Sequence, residues 1–460
     1  MMSIEILKEQ VEAILESGDG IQLHKLLDDQ NISDVADLVD EMPDHDSKII
    51  AAMSVHRASS VFKILDLGAQ KNIIKTLPPD KTAGLLNELP PDDRTDFLEE
   101  LPSNVVRELI KLLDNEERKI TLSLLGYPEN SVGRLMTPDY IYVYESNTVQ
   151  QVLDTVRRIG KNSETIDVIY VINEKGELLD DIRIREFILA LPDKKVKDLM
   201  DDRVIALNAY QDQEEAAEVF KMNNRVALPV VSNSNKLLGI VTIDDILWVA
   251  SEEFSEDMQK IGGTQALDQP YLEMPLFSLF RKRVGWLIVL FLGELLTASA
   301  MKYFEAEIGR ALVLVLFIPL IISSGGNSGS QASTLIIQAM AVGEITLEDW
   351  WRVLRREIFS GLLLGGVLGL IGFLRIFAWH AISPQLYGSH WMLIGITVGA
   401  TLLGVVLWGT LCGSMLPMIL KKLGADPAVS SAPFVATLVD VTGLIIYFTV
   451  ALLILTGSLL

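Results

Sequence analysis

Ala436-Thr437-Leu438-Val439-Asp440-Val441-Thr442-Gly443-Leu444-Ile445-Ile446-Tyr447-Phe448 sets a single acid inside a long apolar stretch. From Pro427 to Leu460, Asp440 is the only charged residue, and the stretch is long enough to cross a bilayer. A carboxylate at membrane depth is costly, so it is expected to face a pore, a partner or a water-filled cavity. Pairing with another helix, or protonation, is the plainer alternative.

Working outward, further apolar runs predict spans near 284–302, 311–341, 358–380, 391–420 and 428–458. Basic residues set the orientation. Arg281, Lys282 and Arg283 precede the first span, Arg352, Arg355 and Arg356 separate the second from the third, and Lys421 and Lys422 follow the fourth. The opposite loops carry Lys302 and Arg310, with Arg375 near them. The bias predicts a cytoplasmic N-terminal region and a C-terminus outside. An odd number of spans argues against internal two-fold repetition, so a central pathway is expected between subunits.

The second span holds Pro319-Leu320-Ile321-Ile322-Ser323-Ser324-Gly325-Gly326-Asn327-Ser328-Gly329-Ser330-Gln331-Ala332-Ser333-Thr334. Small residues there serve either a packing seam or a polar lining. Asn327 and Gln331, four apart on one helical face, favour the lining. Glu294 is the other acid within a span and, without small polar neighbours, the weaker candidate.

The net charge of −22 is unevenly spread. From Pro275 onward there are 11 Lys+Arg and 9 Asp+Glu, whereas the first 274 residues hold 28 against 52. An acidic soluble region thus precedes a nearly neutral membrane region. The acid excess argues against nucleic acid as a partner, disfavours docking on an anionic surface and favours cations, with ordinary solubility the plainer reading of net charge alone. The one cysteine, Cys412, excludes an intramolecular disulfide, and the N-terminus shows no secretory signal. The spans lack any Ser/His, paired-Asp or His/Glu constellation, so no enzyme is expected.

In the soluble region, Leu77-Pro78-Pro79-Asp80, Leu89-Pro90-Pro91-Asp92 and Leu101-Pro102-Ser103-Asn104 recur every twelve residues. Each proline bars continuation of one helix and suits the first turn of the next, which predicts a superhelix of short helices over 1–128. Between 129 and 250 the chain is duplicated at a spacing of 59. Leu178-Leu179 matches Leu237-Leu238, Ile184 matches Ile243, and Val168–Ile172 and Val226–Val231 read as strands. Leu135-Met136-Thr137-Pro138 echoes Leu199-Met200-Asp201-Asp202 upstream. The duplication resembles a tandem pair of CBS (cystathionine-beta-synthase-type) domains. Thr242 and Asp245 in the second copy match the hydroxyl-and-acid pattern that holds an adenosine ribose, leaving room for one regulatory ATP. Asp180, Arg183 and Glu186 break that pattern in the first copy. An acidic helix follows in 251–275, with Glu253, Glu256 and Asp257 on one face, where they repel unless a cation screens them.

Together these features resemble the MgtE family of magnesium channels (often called transporters) over nearly the whole chain. The most specific pieces are Pro319 with the following GGNSGSQ, the LVDVTG around Asp440, and Ser255-Glu256-Asp257-Met258-Gln259-Lys260-Ile261-Gly262. The resemblance implies a mostly α membrane protein with five transmembrane helices over 276–460, preceded by an α-superhelical N domain, an α+β CBS pair and a plug helix. It also implies a homodimer with Asp440 from each subunit at the pore, flanked by Asn327, Gly325, Thr334 and Gly443. Ser330, where relatives can carry an amide, and Ala432 depart from the family pattern. Regulatory Mg2+ is expected at Asp92, Asp96, Glu214, Asp245, Glu253, Glu256 and Asp257, closing the pore when cytosolic Mg2+ is high. The rival reading is a proton- or sodium-coupled transporter of Co2+ or another divalent cation, with Glu294 as the coupling acid.

Overall fold

The computed structural model describes residues 4–267, 271–272 and 274–459; the expected domain 251–275 therefore lies in part outside the described residues. Two compact units divide the chain, Met1–Glu253 and Phe254–Leu460.

The first unit begins with short helices running from Ile4–Ser17 to Asn115–Leu124. The twelve-residue repeat becomes three of them, Pro79–Glu88, Pro91–Glu99 and Ser103–Ile110, each capped by the preceding proline (Pro78, Pro90, Pro102). With so few turns apiece these helices depend on packing. Early in the series each helix packs on the next but one, giving the superhelix its two layers. Phe62 meets Phe97 edge to face with ring centroids 5.2 Å apart in the continuous apolar core. Arg94 is fully buried beside that core. Its guanidinium donates to Thr121 Oγ1 at 2.8 Å and to the carbonyls of Leu86 and Leu89, and it pairs with Glu117.

The duplication is visible residue by residue. Strands β1 (Tyr142–Tyr144), β2 (Val168–Ile172) and β3 (Leu178–Arg183) form one sheet in that order, and β4 (Leu207–Asn208), β5 (Ala227–Val231) and β6 (Leu237–Thr242) form another. In each sheet the first pair is parallel and the second antiparallel. β2 and β5, like β3 and β6, start 59 residues apart (Val168 and Ala227; Leu178 and Leu237). The copies join at their hairpins, where Leu178 N–H donates to the Asn235 carbonyl and Leu237 N–H to that of Gly176.

Among the described residues the second unit contains five helices long and apolar enough to cross a membrane: Leu276–Tyr303, Ile318–Ala341, Trp350–Ile382, Trp391–Lys422 and Ala432–Leu455. The first and third extend well beyond the apolar runs at their N-terminal ends, so Arg281–Arg283 and Arg352–Arg356 lie on helix rather than in loops. The second is entered through a 3-10 turn, Leu312–Phe317, with Pro319 in the first helical turn. The fourth span packs against the second, third and fifth, while the first packs on the fifth. Glycine seams permit this. A Cβ at Gly369 of the third span would lie 2.6 Å from the Gly399 carbonyl oxygen of the fourth. Gly329 and Gly413 bring the second and fourth spans to backbone contact in the same way.

Gly369→Ala should lower the stability of the detergent-solubilised protein by about 1–3 kcal/mol through overpacking. Gly366→Ala, one turn earlier on the same helix with nothing within 4 Å of its Cβ, should be silent. Equal shifts in thermal unfolding for the two variants would contradict the seam.

Candidate ion pathway and cation-sensing acids

Asp440 sits midway along the fifth span with its side chain half-buried. A Cβ at Gly326 of the second span would stand 3.3 Å from Asp440 Oδ1 and 3.4 Å from the Ala436 Cβ, so the glycine gives the two helices a close approach beside the carboxylate. Among the described residues no side chain donates to Asp440 and no cation pairs with it. Its charged neighbour is another acid, Glu294 of the first span, near enough for the two charges to interact. Asn327, next to Gly326, is exposed and donates to Ser323 Oγ at 3.3 Å; Gln331 is exposed one turn on. Thr334 is half-buried.

Gly325 and Gly443 are the other expected pore neighbours. Both are buried against Val405 of the fourth span, where they serve as packing surfaces. The two residues that depart from the family pattern meet each other: Ser330 Oγ donates to the Ala432 carbonyl at 2.9 Å, and Ser333 Oγ to that of Ser430. These bonds hold the second span to the start of the helix that carries Asp440.

The acidic helix begins at Ile243, not near 251, and runs unbroken to Ile261. Its C-terminal end is fastened to the membrane unit. Lys260 pairs with Asp426 at 2.7 Å and with Glu256 one turn earlier. Burial alone would lower the pKa of the Lys260 ammonium, but the hydrogen bonds it donates to Asp426 and Glu256 outweigh it and raise it above its ordinary value. Asp426 also caps the turn Pro427–Val429 that precedes the fifth span. Gly263, at φ +75°, lies against Trp286 and Pro433, and Trp286 Nε1 donates to Ser431 Oγ at 3.0 Å. Glu256 is thus committed in part to Lys260. Nothing near position 260 signals this contact, because Asp426 is 166 residues away.

In the first unit a second group of acids converges on helix Pro91–Glu99. Asp92 is buried, with Oδ1 lacking any hydrogen-bond donor. Burial raises its pKa well above the carboxylate range, and Asp245, Asp93 and Glu164 add to the effect. Asp96 is pushed up to about 7 by burial and then by Glu252 and Glu100. Asp245 is also raised to about 7 by burial, against the hydrogen bond it receives from Thr242, with Asp244, Asp93 and Glu164 contributing. Among the described residues Lys63 answers them, pairing with Asp93 at 3.3 Å. Glu253 accepts from Gln213 at 3.0 Å, and Glu214 is exposed on the first turn of Gln213–Asn223. Asp93 and Asp244 stand out in the sequence as acidic neighbours of Asp92 and Asp245, whereas Glu164 and Glu252 were not expected here. Glu164 lies in an irregular loop with no local signal, while Glu252 neighbours Glu253, an acid already singled out. Among the described residues no three acids form a close metal-ligand cluster, so an ion here would be held partly through its waters.

Thr242 Oγ1 donates to Asp244 at 2.5 Å and to Asp245 at 2.6 Å, so the ribose pattern of the second copy is engaged internally. In the first copy Asp180 accepts the backbone N–H groups of Asp181, Asp201 and Asp202. That structural duty accounts for the broken pattern.

Comparison with known proteins agrees with these parts. A family described as divalent cation transporter, MgtE, matches residues 318–450; the MgtE intracellular N domain matches 30–130, and CBS domains match 132–193 and 196–252. The magnesium transporter MgtE of Thermus thermophilus is 39% identical over 349 residues, covering 76% of this chain and 75% of that protein. The chain belongs to the MgtE family. The MgtE magnesium transporter of Bacillus subtilis is 29% identical over 98% of both chains. The crystal structure of the cytosolic domain of the Mg2+ channel MgtE in complex with ATP superposes with a TM-score of 0.51 at 34% identity, covering 53% of this chain and 99% of that one.

The raised pKa values of Asp92, Asp96 and Asp245 fix a pH dependence. Relative to a state with these acids apart, the packed state holds extra protons between about pH 4 and about pH 7, so packing weakens as pH rises through that window. Limited proteolysis in chelator should cut the first unit faster at about pH 8 than at about pH 5.5. Asp92→Asn, Asp96→Asn and Asp245→Asn together should remove the difference; its persistence would show that other groups set it.

Proposed function

We propose that two copies of this MgtE protein form a Mg2+ channel across the cell membrane, with the soluble domains in the cytoplasm and the C-termini outside. Mg2+ transport is the activity for which the relatives are named. The observation that carries the reading is Asp440: a half-buried carboxylate in an apolar span whose charged neighbour is Glu294 rather than a base. A carboxylate so placed favours a cation that comes from outside the chain. Mg2+ gives up water reluctantly, so a pair of Asp440 side chains, one from each subunit, is suited to an ion that keeps several waters. Uptake needs no coupled hydrolysis, because a divalent cation gains roughly 4.6 kcal/mol per 100 mV of inside-negative potential.

Closure by cytosolic Mg2+ follows from the same chemistry. Asp92 and Asp245, close enough for their charges to interact, and Asp96 near Glu252 and Glu100 favour a bound divalent cation, and the orphaned Asp92 Oδ1 supplies an acceptor for it or its water. Cation binding stabilises the packed state and its withdrawal releases it. Glu253, Glu256 and Asp257 lie on the helix whose end grips Asp426 and the first turn of the fifth span, a direct mechanical route to Asp440. Glu214 belongs to the same sensing surface, and ATP held at Thr242 and Asp245 would stabilise the CBS pair as a further regulatory ligand.

Asp440→Asn and Asp440→Ala should each abolish Mg2+ uptake by proteoliposomes while leaving a folded protein; full uptake by either defeats the pore assignment. Neutralising Glu253, Glu256 and Asp257 together should raise the Mg2+ concentration needed for closure, whereas an unchanged concentration reduces the helix to a linker. The proximity of Glu294 to Asp440 favours one rival, a proton-coupled carrier. That reading requires uptake to follow an imposed proton gradient and to lose the dependence in Glu294→Gln.

A further inference from the structure

The N-terminal end of the third span carries a basic face that the ion pathway does not use. Arg352, Arg355, Arg356 and Phe359 fall at i, i+3, i+4 and i+7 of helix Trp350–Ile382 and, with Trp351, line an open groove of about 490 Å³. Arg352 is held by Asp349 at 2.7 Å. Arg355 and Arg356 are exposed and have no ion-pair partner among the described residues; Glu357, half-buried and close enough to Arg356 to feel its charge, forms no ion pair with it. Trp350 and Trp351 pack edge to face at 5.6 Å, and Trp351 and Phe359 leave about 60% of their surface uncovered. Exposed indoles at the start of a span belong at the level of the lipid headgroups. Two unpaired guanidiniums at that depth need a polar acceptor that lipid tails cannot supply.

We propose that this groove binds the headgroup of an anionic phospholipid of the cytoplasmic leaflet. The phosphodiester accepts from Arg355 and Arg356, and the acyl chains run along Phe359 and the apolar face beyond it. A guanidinium fork matches phosphate oxygens two at a time, which an ammonium cannot do. A net-anionic headgroup suits the site better than a zwitterionic one, whose own cation would meet the arginines. The cytoplasmic assignment rests on the orientation proposed above. Lipid binding is read without ion flux, so its failure leaves the pore reading untouched.

The test is native mass spectrometry of the purified full chain in detergent, titrated with phosphatidylglycerol or with phosphatidylcholine of the same acyl chains. Phosphatidylglycerol should bind more tightly. R355Q/R356Q should weaken that binding by about tenfold or more through loss of charge-assisted hydrogen bonds. R355K/R356K keeps the charge, and with it the positive-inside signal, so it serves as the check if the glutamine variant misassembles. The lysine variant should still lose several-fold of the affinity. Equal binding of the two lipids, wild-type affinity in R355K/R356K, or displacement by millimolar inorganic phosphate alone would overturn the proposal.

Discussion

A carboxylate withdrawn from water must find a countercharge, a donor or a proton, and the membrane unit is organised around one that, among the described residues, has neither base nor donor beside it. Asp440 reaches its position because Gly326 lets the second span close on the fifth. Ser330 and Ser333 tie those spans together at the carbonyls of Ala432 and Ser430. The fourth span, packed through glycine seams on two sides, gives the arrangement its rigidity. A helix end gripping Asp426 then bears on the start of the same span through Lys260.

The cytosolic unit repeats the constraint in a softer form. Asp92, Asp93, Asp96, Glu164, Asp244, Asp245 and Glu252 crowd around one short helix, with Lys63 paired among them. Burial makes their charged forms unfavourable, so protons and divalent cations compete for the same stabilising role. In the proposed function, Asp440 selects for an ion in the membrane and the buried acids respond to its concentration in the cytoplasm.

Much of the fold was legible because its signals are local. The twelve-residue proline repeat marks helix starts, the 59-residue duplication locates β2 and places β5 to within one residue, and apolar runs mark the spans. Span ends were less legible, since helical hydrogen bonding continues past the last apolar residue and carries Arg281–Arg283 and Arg352–Arg356 onto helices. Small residues were ambiguous for a different reason. Gly325 and Gly443 look the same in sequence whether they line a pore or seat a neighbour, and Val405 opposite them is visible only in the fold. The pairing of Lys260 with Asp426, and of the departures Ser330 and Ala432, depends on contacts between distant segments that no local pattern announces.

Magnesium current recorded from membrane patches containing the full chain, with cytosolic Mg2+ stepped upward, tests the central claim most directly. A current that reverses at the Mg2+ equilibrium potential and falls as cytosolic Mg2+ rises is the result expected of a channel gated by its own ion. A reversal potential that moves with the proton gradient, or a current indifferent to cytosolic Mg2+, would contradict it.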